Sequence, residues 1–136
     1  MDCIFCKIIN GDIPCFKIYE DELVLAFLDI NPDSDGHTLI IPKKHFRDLD
    51  DIDLETLARI NEVSKKLKNL LEKKLGCEGI SLLQNNGFVQ EVKHYHLHLK
   101  PYYKDKKSIE MIKHNEFIQD PKKIYEKIIE FMDVKW

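Results

Sequence analysis

"KHYHLHLKPYY", Lys93 to Tyr103, carries three of the chain's six histidines at alternating positions: His94, His96 and His98. A period of two is the period of a β-strand, whose side chains alternate between two faces. As a strand, the segment puts the three imidazoles on one face and Tyr95, Leu97 and Leu99 on the other. As a helix, with about 3.6 residues per turn, neighbouring histidines would lie about 200° apart and no apolar stripe would form. The spacing therefore predicts a strand over 92–101, ended by Pro101. Its apolar face needs a core. Its imidazole face needs polar surroundings, because buried unpaired imidazoles are costly. Three arrangements meet that need: a metal site, a row of histidines serving an anion or a proton transfer, and a solvated face that is merely His-rich.

The rest of the chain supplies partners for that strand. "GISLLQ" (79–84) reads as a strand joined to it through "NNGF". "CFKIYED" and "LVLAFLDI" read as two strands linked by the charged turn Glu20–Glu22, and "GHTLIIP" as a third, opened by Gly36 and closed by Pro42. Between them, apolar residues at 54, 57, 60, 63, 67, 70, 71 and 75 have helical spacing, with Asp53 as N-cap and Gly76 as C-cap. A last helix is predicted from Asp120 and Pro121, with Ile124, Ile128, Ile129 and Met132 as its apolar face. Short links favour an antiparallel sheet with the long helix on one face: an α+β domain.

At 136 residues the chain suits one domain. It is 43% hydrophobic and 33% charged, with a net charge of -3. No broad basic field argues for nucleic acid. The longest apolar stretch, "LVLAFL" at 23–28, is too short to span a bilayer. The first twelve residues lack the basic-then-apolar pattern of a secretory leader, which predicts a cytoplasmic protein. There, Cys3, Cys6, Cys15 and Cys77 are expected as thiols or metal ligands rather than disulfides.

Other polar residues sit in suggestive places. His37 and His45 bracket the "TLIIP" strand eight residues apart, an even spacing that would put them on one side of a regular strand. Asp29 ends an apolar strand, as a turn former or as a hydroxyl acceptor in a pocket. Cys3 and Cys6 form C-x-x-C, which suits a zinc knuckle, a redox pair or two inert buried thiols. A redox pair wants a strand before it and a helix start beneath it, which this N-terminal position is not expected to supply. Zinc needs two more ligands, for which His45 and His94 are available.

Taken together, "IFCKIINGDIP", "YEDELVLAFLDI", "GHTLIIPKKH", "NNG" and above all "HYHLHL" resemble the histidine triad (HIT) family of nucleotide hydrolases and transferases. The likeness is greatest to its small phosphoramidases, and it covers residues 3 to 101. It implies a HIT-like domain over 1–136, with a core of about 3–103 and a C-terminal helical extension of about 104–136. It implies that His96 attacks the α-phosphorus of a purine nucleotide to form a nucleotidyl-imidazole, and that His98 and His37 serve the phosphate. Asp29 would accept the ribose hydroxyls, and Phe5, Ile8, Ile13, Phe27 and Ile30 would sandwich the base. Asn85 and Gln90 would contact the nucleotide. Cys3, Cys6, His45 and His94 would hold a structural zinc, and the chain would form a homodimer with the sheet continued across the two-fold axis.

One stretch departs from the family. "NNGFVQEV" is shorter than the usual loop, with Val89 in place of a glycine and Glu91 in place of a hydroxyl residue. A carboxylate beside a phosphate is repelled by several kcal/mol at ~4 Å when poorly screened. The expectations are therefore an enzyme releasing a nucleoside monophosphate from a phosphoramidate or dinucleoside polyphosphate, a nucleotide sensor with weak or no turnover, or a structural zinc protein.

Overall fold

The protein is described from a computed structural model, which places residues 2–105 and 118–130. The chain runs α1 (Ile4–Ile9), β1 (Lys17–Glu20), β2 (Val24–Leu28), β3 (Thr38–Pro42), α2 (Leu54–Leu75), β4 (Gly79–Gln84), β5 (Leu97–Tyr102) and α3 (Pro121–Ile129). The five strands form one antiparallel sheet in the order β1-β2-β3-β5-β4. The architecture is α+β. The Met132 assigned to the last helix lies outside the described residues, and Ile128 and Ile129 on α3 are exposed.

β2 and β3 read "VLAFL" and "TLIIP" because both of their faces are covered. Val24, Ala26, Ile40, Leu97 and Leu99 point to the α2 side, where they meet Ile60, Val63, Leu67 and Leu71. Leu25, Phe27, Leu39 and Ile41 point to the other side, against Cys3 and Phe5 of the N-terminal segment. Period-two alternation divides each strand between the two clusters. Helix α2 starts where the Asp53 carboxylate accepts from Thr56 N–H and stops at Gly76, whose φ is 69°. Its buried stripe is Thr56, Ile60, Val63, Ser64, Leu67 and Leu71; Leu54, Leu70 and Leu75, also expected on it, are exposed. At 100° per residue, Leu70 and Leu75 flank that stripe on opposite sides and Leu54 lies well round the helix from it.

Two further expectations are corrected. β5 begins at Leu97, not at 92, and runs through Pro101 to Tyr102. The backbone of 94–96 leaves the ladder: Tyr95 N–H donates to Phe46 O (2.6 Å) and His94 closes on Pro42 O with its ring. Pro101 is tolerated because Leu99 is the last residue paired with β3, so that ladder loses no donor. C-x-x-C does stand at a helix start: Cys3 is the N-cap of α1, and its sulfur accepts from Cys6 N–H at 3.3 Å.

Candidate functional site

Sheet parity places Asp29, His37, His96 and His98 on the face opposite α2. β3 and β5 set Leu39 opposite His98, so His37, two residues before Leu39, falls beside the same imidazole. His37 Nε2 and His98 Nδ1 are 2.9 Å apart. Asp33 N–H donates to His37 Nδ1 at 3.0 Å. An imidazole nitrogen that accepts carries no proton, so neutral His37 bears its proton on Nε2 and gives it to His98 Nδ1. His98 is left with an Nε2–H to offer. His96 is fixed separately. Its Nδ1–H donates to the His94 carbonyl at 2.7 Å, which leaves the Nε2 lone pair uncommitted. The Phe5 ring stands edge-on to His96, centroids 5.1 Å apart, and Phe27 backs Phe5 at 5.7 Å.

His37, His96, His98 and Phe5 line a cavity of about 330 Å3 together with Asp29, Ile30, Asn31, Asp33, Asn85, Glu91 and Lys100. That volume falls within the range of small-molecule sites. Burial is the main reason the imidazoles stay neutral. It depresses His37 and His96, and with the neighbouring His96 and His37 it holds His98 down to about 3. Asp29 does two things at once: Oδ1 accepts Asn31 N–H at 2.9 Å, while Oδ2 stands 3.6 Å from His37 Nε2.

Of the residues assigned from sequence, Phe5, Asp29, Ile30, His37, Asn85, His96 and His98 come together at this cavity. Ile8 and Phe27 pack in the cluster beneath it, and Ile13 does not line it. Gln90 is buried elsewhere: its Nε2 donates to Arg47 O at 2.6 Å, stapling the loop to the segment after β3. Asn86, beside Asn85, accepts from Leu49 N–H and does the same. The sequence reading missed Asp33 and Lys100, an ion pair of 2.7 Å at the cavity wall. The signal was available for Lys100, since it continues the period-two face of His96 and His98.

A second group lies on the far side of His94. The Sγ atoms of Cys3 and Cys6 and the Nδ1 atoms of His45 and His94 all fall within 4.8 Å of one another. Cys3 Sγ and Cys6 Sγ stand 3.4 and 3.6 Å from His94 Nδ1, Cys6 Sγ 3.3 Å from His45 Nδ1, and the two nitrogens 3.1 Å apart. Tetrahedral zinc with Zn–S near ~2.3 Å and Zn–N near ~2.0–2.1 Å has ligand–ligand edges of about 3.3–3.8 Å. His94 Nε2–H donates to Pro42 O at 2.8 Å, so its Nδ1 lone pair is aimed inward, as a metal ligand requires. Partial burial, then the Cys3 sulfur, push the Cys6 thiol up to about 11, a penalty on the thiolate that a cation would remove. The four residues fit zinc.

A protein built on this sheet, with three imidazoles and an acid around one cavity and a Cys2His2 group behind it, falls within a known class. The chain matches the HIT domain over residues 10–105. It is 52% identical to an uncharacterized HIT-like protein of Methanocaldococcus jannaschii, over 74% of this chain and 79% of that one. It is 48% identical to an adenosine 5'-monophosphoramidase of Schizosaccharomyces pombe, over 74% of each. A solved Zn-bound histidine triad family protein from Mycobacterium smegmatis is 39% identical, covers 89% of this chain and 84% of its own, and superposes with a TM-score of 0.76. The chain belongs to the HIT domain family. Among the described residues no helix is long and apolar enough to cross a membrane.

Proposed function

We propose that the protein is a nucleotide-binding hydrolase that releases a nucleoside monophosphate from a phosphoramidate through a nucleotidyl-His96 intermediate. The observation that carries this is the tautomer of His96: Nδ1–H is committed to His94 O, so Nε2 is the nucleophilic nitrogen, in a cavity edged by the ribose-sized acceptor Asp29. His96 Nε2 forms a bond to the α-phosphorus, and the bond from phosphorus to the leaving nitrogen breaks. That nitrogen keeps the electron pair, takes a proton from water and departs as an amine. Water then adds to phosphorus, the imidazole leaves, and the proton goes to solvent. His98 steadies the phosphoryl oxygens with Nε2–H, a neutral donor held in place by His37 and the Asp33 amide. Phe5 and Ile30 contribute apolar walls for a purine.

Zinc on Cys3, Cys6, His45 and His94 would be structural, with all four positions closed by protein ligands. His94 links the two centres, since its ring belongs to the metal group and its carbonyl orients His96. The four cysteines are free, as suits the cytosol. β4 is an edge strand with Leu82 and Leu83 exposed, which supports a homodimer extending the sheet there.

Single-turnover trapping tests the reading. Brief incubation with an α-labelled adenosine phosphoramidate, quenched under alkaline denaturing conditions that the P–N bond of a nucleotidyl-histidine survives, should place label on His96. His96→Ala should keep nucleoside monophosphate binding yet lose turnover by on the order of 10³-fold or more. Tight nucleotide binding with neither label nor turnover in the parent would favour a sensor; near-parental turnover in the variant would remove His96 as nucleophile.

A further inference from the structure

We propose that Glu91 selects the leaving group: the cavity accepts nucleoside 5'-phosphoramidates whose leaving amine carries a second, positively charged group, and disfavours polyphosphates. The inference rests on the hydrolase reading above and names its substrate class.

The charge balance of the cavity is unusual for a phosphate site. Its wall holds three carboxylates, from Asp29, Asp33 and Glu91, against one ammonium, from Lys100. Lys100 is taken up by Asp33 at 2.7 Å. Asp29 turns one oxygen to the Asn31 amide. Glu91 remains. It is exposed, and among the described residues no side chain pairs with its carboxylate. Lys93, two residues away, is used otherwise: its Nζ donates to Gly87 O at 2.9 Å and to Gln90 O at 2.7 Å, tying the loop to itself.

Position gives that carboxylate a role. Glu91, Ile4 and Val92 are shared between the nucleotide cavity and a second cleft of about 390 Å3, lined also by Asp2, Cys3, His45 and Lys93. Glu91 therefore stands on the wall common to the two spaces. With the base and ribose held by Phe5, Ile30 and Asp29, the group leaving phosphorus is directed along this wall, past the Glu91 carboxylate. A carboxylate attracts an ammonium and repels a phosphate, so it sorts leaving groups by charge sign. The expected discrimination at an exposed position is about tenfold, equivalent to about 1.4 kcal/mol.

The test uses three adenosine 5'-phosphoramidates that differ only in the leaving amine: 1,4-diaminobutane, pentylamine and 4-aminobutyrate. The first ends in an ammonium, the second in a methyl and the third in a carboxylate. In the parent protein, kcat/KM should favour the ammonium substrate over the methyl one by about tenfold and place the carboxylate substrate last. Glu91→Gln should bring the ammonium-to-methyl ratio to about 1, and Glu91→Lys should reverse the order of the two charged substrates. Glu55→Gln, which removes the same charge at the exposed start of α2, should keep the parental ratio. Equal rates in the parent, or a preference that survives Glu91→Gln, would overturn the assignment of Glu91 while leaving the hydrolase reading standing. Failure to turn over any of the three would bring down the hydrolase reading and this inference with it.

Discussion

At the scale of single residues, one backbone amide sets the protonation of two imidazoles. Asp33 N–H on His37 Nδ1 forces the His37 proton to Nε2, and the 2.9 Å contact passes the same constraint to His98. The arrangement works only while both rings are neutral. Burial, with His96 and His37 close by, holds His98 at about 3, against about 6.5 for an unfolded histidine. The unfolded chain therefore takes up a proton below about pH 6.5 that the folded chain refuses until about pH 3. Stability from this group is complete above pH 6.5 and declines as the pH falls through that window. The melting temperature should drop between pH 6.5 and 4. His98→Asn, which keeps an acceptor for His37 but does not titrate, should show a shallower drop. A decline as steep as the parent's would assign the acid sensitivity to other groups.

At the scale of elements, the turn before β3 is held by the far end of α2. Gly36 has φ of 87°, and a Cβ there would meet Leu75 Cδ1 at 2.5 Å and Pro101 Cγ at 3.3 Å. Leu75 is the last residue of α2 and its side chain can swing aside, so the backbone conformation carries most of the cost. Thr38 Oγ1 donates to Gly36 O, and His37 lies between them, so this turn aims the imidazole that braces His98. Gly36→Ala should destabilise the protein by roughly 1–2 kcal/mol, read as a lower midpoint in urea. An unchanged midpoint would show that the turn relaxes freely.

At the scale of the whole molecule, two centres share His94. The Cys and His group gathers the start of α1, the segment after β3 and the segment before β5, positions as far apart in sequence as Cys3 and His94. The larger core, between the sheet and α2, includes none of its four residues. Protein purified without chelator should carry about one zinc per chain. Stripping it should lower the melting temperature by about 5 °C or more, because a ligand bound only by the folded state stabilises that state by mass action. Far-UV circular dichroism at 25 °C should persist in the stripped protein, since the α2 core remains. Metal analysis showing no zinc would sink the assignment.

The period-two histidines and the apolar alternation around them were enough to predict an antiparallel α+β domain, and Asp53, Gly76, Asp120 and Pro121 marked helix ends within a residue. Those features are local: a strand's alternation and a helix's caps depend on neighbours in the chain. His37, His96 and His98 were also legible as a group, as were Cys3, Cys6, His45 and His94, through motif likeness. What folding alone decided was where each imidazole's proton sits, because that depends on the Asp33 amide, Pro42 O and His94 O rather than on residue type. The strand's late start at Leu97 was hidden for the same reason: Phe46 O, nearly fifty residues upstream, takes the Tyr95 amide out of the ladder. Gln90 read as a ligand contact until its amide met Arg47 O, and Glu91 read as an anomaly until the fold stood it on the wall shared by two cavities. Side-chain chemistry is written in the sequence, but hydrogen-bond partners and charge balance are set by segments that only the tertiary structure brings together.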